Sequence, residues 1–224
     1  MKLGLSRREI RVLLVAWLFV CLALVGVVYW FVQRGSSGPD QAANRRPVPQ
    51  ATVTIGFTSL TARQLYPVAR DRAILWQADA QLDDATANWE NTAINLVGQP
   101  TTWTFRFYSP TLQRFYFVTV QAGGQVDGVS HGQPARRSPQ LLALDRWSVD
   151  SPEAINLWLN YGGSQMLTSV PGIQVVAQLS TANTSDPIPT WMVAGYNREN
   201  DNYHTVIINA TSGEVVEVKS GAGS

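Results

Sequence analysis

The chain has 224 residues, of which 45% are hydrophobic and 15% charged, with a formal net charge of +1 at pH 7. Eight Trp, seven Tyr and seven Phe in so apolar a chain exclude general disorder and require packed cores. One Cys and two His exclude an intramolecular disulfide framework, a zinc site built mainly from thiolates and a CxxC redox motif.

Residues 12–32 form an unbroken uncharged run, VLLVAWLFVCLALVGVVYWFV. At about 1.5 Å per residue it reaches roughly 31 Å, the thickness of a hydrocarbon core. Tyr29, Trp30 and Phe31 cluster at one end and Trp17 lies toward the other, as interfacial aromatics do. Lys2, Arg7, Arg8 and Arg11 precede the run against a lone Glu9, which predicts a cytoplasmic N-terminus at residues 1–11. The expected topology is a single-pass cell-membrane protein. Its transmembrane helix covers 12–32, and everything after it is extracytoplasmic, on the periplasmic or extracellular side. The lipid bilayer is thus one expected partner. Ala16, Ala23 and Gly26 are small enough to let another membrane helix pack against this one. A cleaved signal at Ala42-Ala43 and lipoprotein processing at Cys21 are the competing readings. The run is long for a signal core, and bulky Val20 stands where a lipoprotein box wants a small residue. Cys21 then serves as a small apolar filler.

Residues 33–52, QRGSSGPDQAANRRPVPQAT, read as a flexible linker. From residue 51 onward there are 10 basic against 14 acidic residues, so the outer part has no electrostatic reason to bind nucleic acid.

A first unit is expected over 53–149. Residues 61–82 have helical composition, with Leu65, Ala69, Ala73, Trp76 and Ala80 on one stripe. Thr61 and Gln64 can form a capping box; Pro67 offers an alternative helix start. Asp83-Asp84 reads as a solvated pair near the helix end. Two strands follow a polar stretch. In one, Trp103, Phe105 and Phe107 alternate with Thr104 and Arg106; in the other, Phe115, Phe117 and Thr119 alternate with Tyr116, Val118 and Val120. A short strand is expected at 125–129, with His131 in a loop. Leu141, Leu142 and Leu144 form an apolar connector.

A second unit is expected over 150–219, with a frayed tail at 220–224. Asp150 or Ser151 caps a helix, Pro152 takes its first position, and Ala154, Leu157, Trp158 and Tyr161 form its apolar face. Gly162-Gly163 is a stop signal, although Met166 and Leu167 suggest another turn. Strands are predicted at 173–179, 191–196, 203–209 and 214–218. An offset of 88 superposes Trp103 on Trp191, Phe105 on Val193, Tyr116 on His204, Val118 on Val206 and Val120 on Ile208. The predicted fold class is α+β: one transmembrane helix, then a tandem pair of helix-plus-antiparallel-sheet units.

The segment 191–218, WMVAGYNRENDNYHTVIINATSGEVVEV, resembles the PepSY family. It has an alternating strand, a polar loop, a second strand ending in Ile208-Asn209-Ala210, and a Thr211-Ser212-Gly213-Glu214 turn. Asn209 stands where the family usually has Asp, and Ser212 where it usually has Thr. Residues 103–129 look like a more divergent copy. The resemblance implies an extracytoplasmic, often membrane-tethered module that binds or inhibits peptidases or regulates neighbouring proteins, without defining catalytic residues.

No catalytic, cofactor or metal site is expected. There is no G-x-S-x-G elbow, P-loop, dinucleotide fingerprint or EF-hand spacing. His204 shares the parity of Val206 and Ile208 and is expected to be a partly buried structural histidine. Trp89 and Trp147 lie in segments without clear periodicity; core or local packing is the first reading, and if exposed they would anchor a partner. Phe115 and Phe117 put rings on a sheet face that must meet the other unit, a partner or solvent. The expected function is non-enzymatic: an accessory or structural subunit of a membrane protein complex. The alternative is a regulator or inhibitor of an extracytoplasmic peptidase. A hydrolase would need His, Ser or carboxylates gathered in a pocket.

Overall fold

The computed structural model describes residues 47–56, 58, 60–90, 97, 102–135, 139–182, 187–197, 199 and 201–221. The expected transmembrane helix 12–32, with Ala16, Ala23 and Gly26, lies outside the described residues. Among those described, no helix is long and apolar enough to cross a membrane.

Helix α1 (Ala62–Trp76) is followed by strands β1 (Gln81–Trp89), β2 (Trp103–Ser109), β3 (Arg114–Val120) and β4 (Val126–Pro134). Helix α2 (Ser151–Trp158) runs through a wide turn (Leu159–Gly163) into helix α3 (Ser164–Ser169). Strands β5 (Gln174–Thr181), β6 (Pro189–Tyr196), β7 (Tyr203–Asn209) and β8 (Val215–Gly221) complete the domain. All eight strands form one antiparallel sheet, ordered β4-β3-β2-β1-β5-β6-β7-β8. The two predicted units are therefore joined edge to edge through β1 and β5, not stacked face to face.

The offset of 88 holds in the hairpin registers. Trp103 pairs with Val120 and Phe105 with Val118; Trp191 pairs with Ile208 and Val193 with Val206. The matched Trp103 and Trp191 meet edge to face at the seam, with ring centroids 5.9 Å apart. Trp89 and Trp147 extend this cluster at 6.5 and 6.4 Å. The Val149 carbonyl accepts both the Trp147 and the Trp191 indole N–H, at 2.8 and 2.9 Å. Both buried indoles thereby keep their polar handle satisfied.

The helices are also equivalent. Thr61 with Gln64 and Asp150 with Glu153 each close a capping box. The buried stripe Ala62, Leu65, Ala69 recurs as Ser151, Ala154, Trp158. The two helix N-termini meet at Asp150. Its carboxylate accepts from Ser151 N at 2.7 Å and Arg63 N at 3.1 Å, and from the Thr61 hydroxyl. One acid thus serves the positive ends of two helices. Asp150→Ala is expected to cost about 2 kcal/mol, twice a usual cap, read as a lower urea midpoint at unchanged slope. A loss below about 0.5 kcal/mol would show that the helix ends do not depend on it.

Several expectations need correction. Helix α1 starts upstream of Pro67, because the Thr61 cap and Asp150 fix its beginning, and it ends at Trp76, not Leu82. Gln77 is already extended, and Leu82 belongs to β1, a strand absent from the expected elements. Strand β4 runs to Pro134, so His131 is in a strand paired with Tyr116 and not in a loop. The tail is not frayed from residue 220: Ser220 and Gly221 pair with His204 and Tyr203 in β8. Gly162 adopts φ +125 and bends the chain, but the helical path resumes in α3, where Met166 and Leu167 are buried.

Candidate functional site

Antiparallel pairing keeps side-chain parity across the whole sheet, so the two faces can be read strand by strand. Helices α1 and α2 pack on the same face, over β2–β3 and β6–β7. Phe105, Phe107, Val118, Trp191, Val193 and Val206 are buried beneath them. Among the described residues no helix covers the opposite face. There Arg106, Phe115, Phe117, Met192, Tyr196 and Ile207 are half-buried.

The expected contact residues divide between these environments. Trp89 and Trp147 are buried, with 8% and 2% of their surface exposed, and belong to the core. They are not surface anchors. Local periodicity around them was weak because Trp89 ends a bulged strand and Trp147 follows a short 3-10 turn (Leu144–Arg146). Phe115 and Phe117 lie on the uncovered face. Gly132 of β4 lets them settle: a Cβ there would fall 2.8 Å from Phe115 Cβ and 2.9 Å from Phe117 Cε2.

Asp83 and Asp84 are buried, contrary to the solvated pair expected. The register of β1 against β2 slips between Leu82 and Asp84. Such a bulge adds a residue and re-aims side chains, so two consecutive acids reach one partner. Arg106 Nε donates to Asp83 Oδ2 at 2.6 Å, and Arg106 Nη2 pairs with Asp84 Oδ2. Gln178 Nε2 donates to Asp84 at 3.3 Å, and the guanidinium lies 5.2 Å over the Phe115 ring. Burial pushes both carboxyls up, and Arg106 only partly offsets it; Asp84 is raised to about 6, with Asp83 adding to the rise.

A second arrangement surrounds His204, on the helix-facing side of β7. Its Nδ1 lies 2.7 Å from Ser220 Oγ on β8. Its backbone carbonyl accepts the Trp158 indole N–H at 3.2 Å. Burial lowers the imidazole pKa, and the Tyr161 carbonyl partly opposes this. Among the described residues, Nε2 is buried without a hydrogen-bond partner. The ring forms part of the floor of a cleft of about 460 Å³ between the α2–α3 turn and the ends of β7 and β8. Ser220 and His204 are thus adjacent, and among the described residues lining the cleft there is no carboxylate. His131 lies on β4 with five strands between it and His204. Among the described residues no three His, Cys, Asp or Glu side chains gather to hold a metal.

The architecture defines an α+β domain of two fused helix-plus-four-strand units. No family model matches the chain, and no curated protein matches it. Among solved structures it is similar to a candidate lipoprotein from Clostridium difficile 630, with a TM-score of 0.45 and 10% identity, covering 82% of this chain and 100% of that one. It is also similar to the C-terminal domain of YpeB from Bacillus megaterium, with a TM-score of 0.20 and 9% identity over 74% of this chain and 99% of that one.

Proposed function

We propose that the chain is a non-enzymatic, membrane-anchored, PepSY-like domain displayed outside the cytoplasmic membrane, where it binds another protein as an accessory subunit of a membrane complex. The observation that supports this best is the uncovered sheet face. It carries the half-buried apolar or aromatic side chains Phe115, Phe117, Met192, Tyr196 and Ile207. The uncharged run at 12–32 supports the anchor. The PepSY reading gains support from the last turn. Asn209 Oδ1 accepts from Thr211 N and Ser212 N at 2.8 and 3.2 Å, and Gly213 has φ +76.

The test is purification of the full chain from native membranes in mild detergent. A stoichiometric partner is expected, and Ile207→Arg, on the uncovered face, is expected to reduce its recovery by about tenfold without unfolding the domain. A monodisperse monomer, or recovery unchanged by the substitution, overturns the subunit reading. Exposed Val126 and Val129 on the edge strand β4 favour the second reading, a peptidase regulator that adds a strand to its target. Inhibition assays on membrane-associated peptidases follow if no stable assembly is found.

A further inference from the structure

Among the described residues the sheet has two edges, β4 and β8. An edge strand presents a row of backbone N–H and C=O groups without ladder partners, a template for another strand. The two edges differ. Strand β4 slips register twice against β3 and ends on Pro134, so it offers a partner only short regular segments. Strand β8 slips once, at Val216, and stays in register with β7 from Glu217 to Gly221. It holds no proline, and Val216 is 60% exposed.

The charges on β8 point to its partner. Glu217 and Lys219 pair with Ile207 and Thr205, so both side chains stand on the uncovered face. They form an ion pair of 2.9 Å, with side chains 43% and 57% exposed. A lone edge lysine repels its own copy, but an acid two residues away on the same face can reverse that. Antiparallel neighbours keep side-chain parity, so two copies of β8 related by a dyad pair only with one residue opposite itself. Centring on Glu217 sets acid against acid, and centring on Lys219 sets base against base. Centring on Val216 or Ser220 overlaps only three strand residues. Centring on Val218 sets each Glu217 opposite the Lys219 of the other copy. Val218 is also the middle residue of Val215–Gly221, so this register overlaps the strand along its full length. The bulge at Val216 falls outside the three central pairs. Charge and overlap thus select the same register independently.

We propose that β8 pairs antiparallel with β8 of a second copy of this chain, Val218 opposite Val218, to form a dimer whose sheet runs on from one copy into the other. The main-chain ladder supplies the attraction. The four charges set the register, since exposed ion pairs contribute little by themselves. The dimer uses the sheet edge and leaves the uncovered face free for a different protein.

The test is disulfide formation by the full chain in phosphatidylcholine vesicles, with Cys21→Ala so that the introduced thiol is the only one. Directly opposed residues have Cα atoms about 4.5–5.5 Å apart, within disulfide reach. In this register Val216 lies about 13 Å from its own counterpart, beyond that reach. Under mild oxidation Val218→Cys is expected to cross-link at least about fivefold more than Val216→Cys. Adding Lys219→Glu or Glu217→Lys to Val218→Cys is expected to lower the yield by at least about fivefold, since like charges then stand opposed. Mixing these two charge variants is expected to restore it, because each supplies the charges the other lacks, and recovery also shows that both fold. The proposal is overturned by no cross-link at Val218→Cys, by equal yields from Val216→Cys and Val218→Cys, by charge variants that leave the yield unchanged, or by a mixture no better than either variant alone.

Discussion

Arg106→Ala is expected to destabilise the domain by about 3 kcal/mol at pH 7.5, and by about 1 kcal/mol at pH 5. Removing one partner of a buried ion pair leaves an uncompensated charge, and here it leaves two. Asp83 and Asp84 have side chains only 7% and 6% exposed, and Arg106 is the cation paired with both. The lower end of the usual range applies because the guanidinium is itself 37% exposed and partly screened by water. The pH dependence follows from the direction of the pKa shifts. A carboxyl raised to about 6 holds its proton more tightly in the folded state than in the unfolded chain. The cluster therefore stabilises least at neutral pH, and its cost is relieved as pH falls from about 6 toward the unfolded value near 4. Losing Arg106 raises both carboxyls further, so acidification recovers more. Asp84→Asn is expected to do the reverse, gaining about 1 kcal/mol at pH 7.5 and flattening the profile. Urea unfolding at the two pH values checks all three statements. Equal losses for Arg106→Ala at pH 7.5 and pH 5 would show that packing, not charge, sets its contribution.

Trp158→Ala is expected to cost about 4 kcal/mol. The side chain is fully buried, its ring is stacked over Gly163, and it gives its N–H to the His204 carbonyl. The ring also fills the space above Gly195, where a Cβ would lie 2.7 Å from Cζ2. The first unit solves the same packing problem in the opposite way. Ala69 stands on the helix where Trp158 stands, and Phe107 on the strand where Gly195 stands, all buried. Large-on-helix with small-on-strand has been exchanged for small-on-helix with large-on-strand, at roughly conserved volume. Adding Gly195→Phe to Trp158→Ala is therefore expected to recover about 1–2 kcal/mol, whereas Gly195→Phe alone should destabilise by overpacking. A double variant no more stable than Trp158→Ala would show that the two units are not interchangeable in their cores.

The hairpins and helix starts were legible because large aromatic residues alternate with polar ones and the caps have local sequence signals. The repeat was legible for the same reason, with Trp103 and Trp191 as its clearest marks. Strand β1 was not. Its bulge breaks the alternation at Asp83-Asp84, and two of its core-facing residues, Ala85 and Ala87, favour helices over strands. That omission also turned Asp83 and Asp84 from interior residues into expected surface ones. The uncovered face was foreshadowed by Phe115, Tyr116 and Phe117, since three consecutive rings cannot share one side of a strand. The cleft was not foreshadowed. It collects Gln50, Gly162, Gln165, Tyr203 and Ser220 from four separate stretches of chain, and no motif links them.

The seam between β1 and β5 has a further consequence. Each unit by itself would be a four-stranded sheet with β1 or β5 as a bare edge, able to pair antiparallel with the same edge of another copy. Such an object is half of a two-fold dimer, and its assembly would follow protein concentration. Carrying both halves on one chain replaces that concentration with an effective one, in the millimolar range for a short tether. The connection between β4 and α2 is thus more than a spacer: it lets a two-fold assembly form at any dilution.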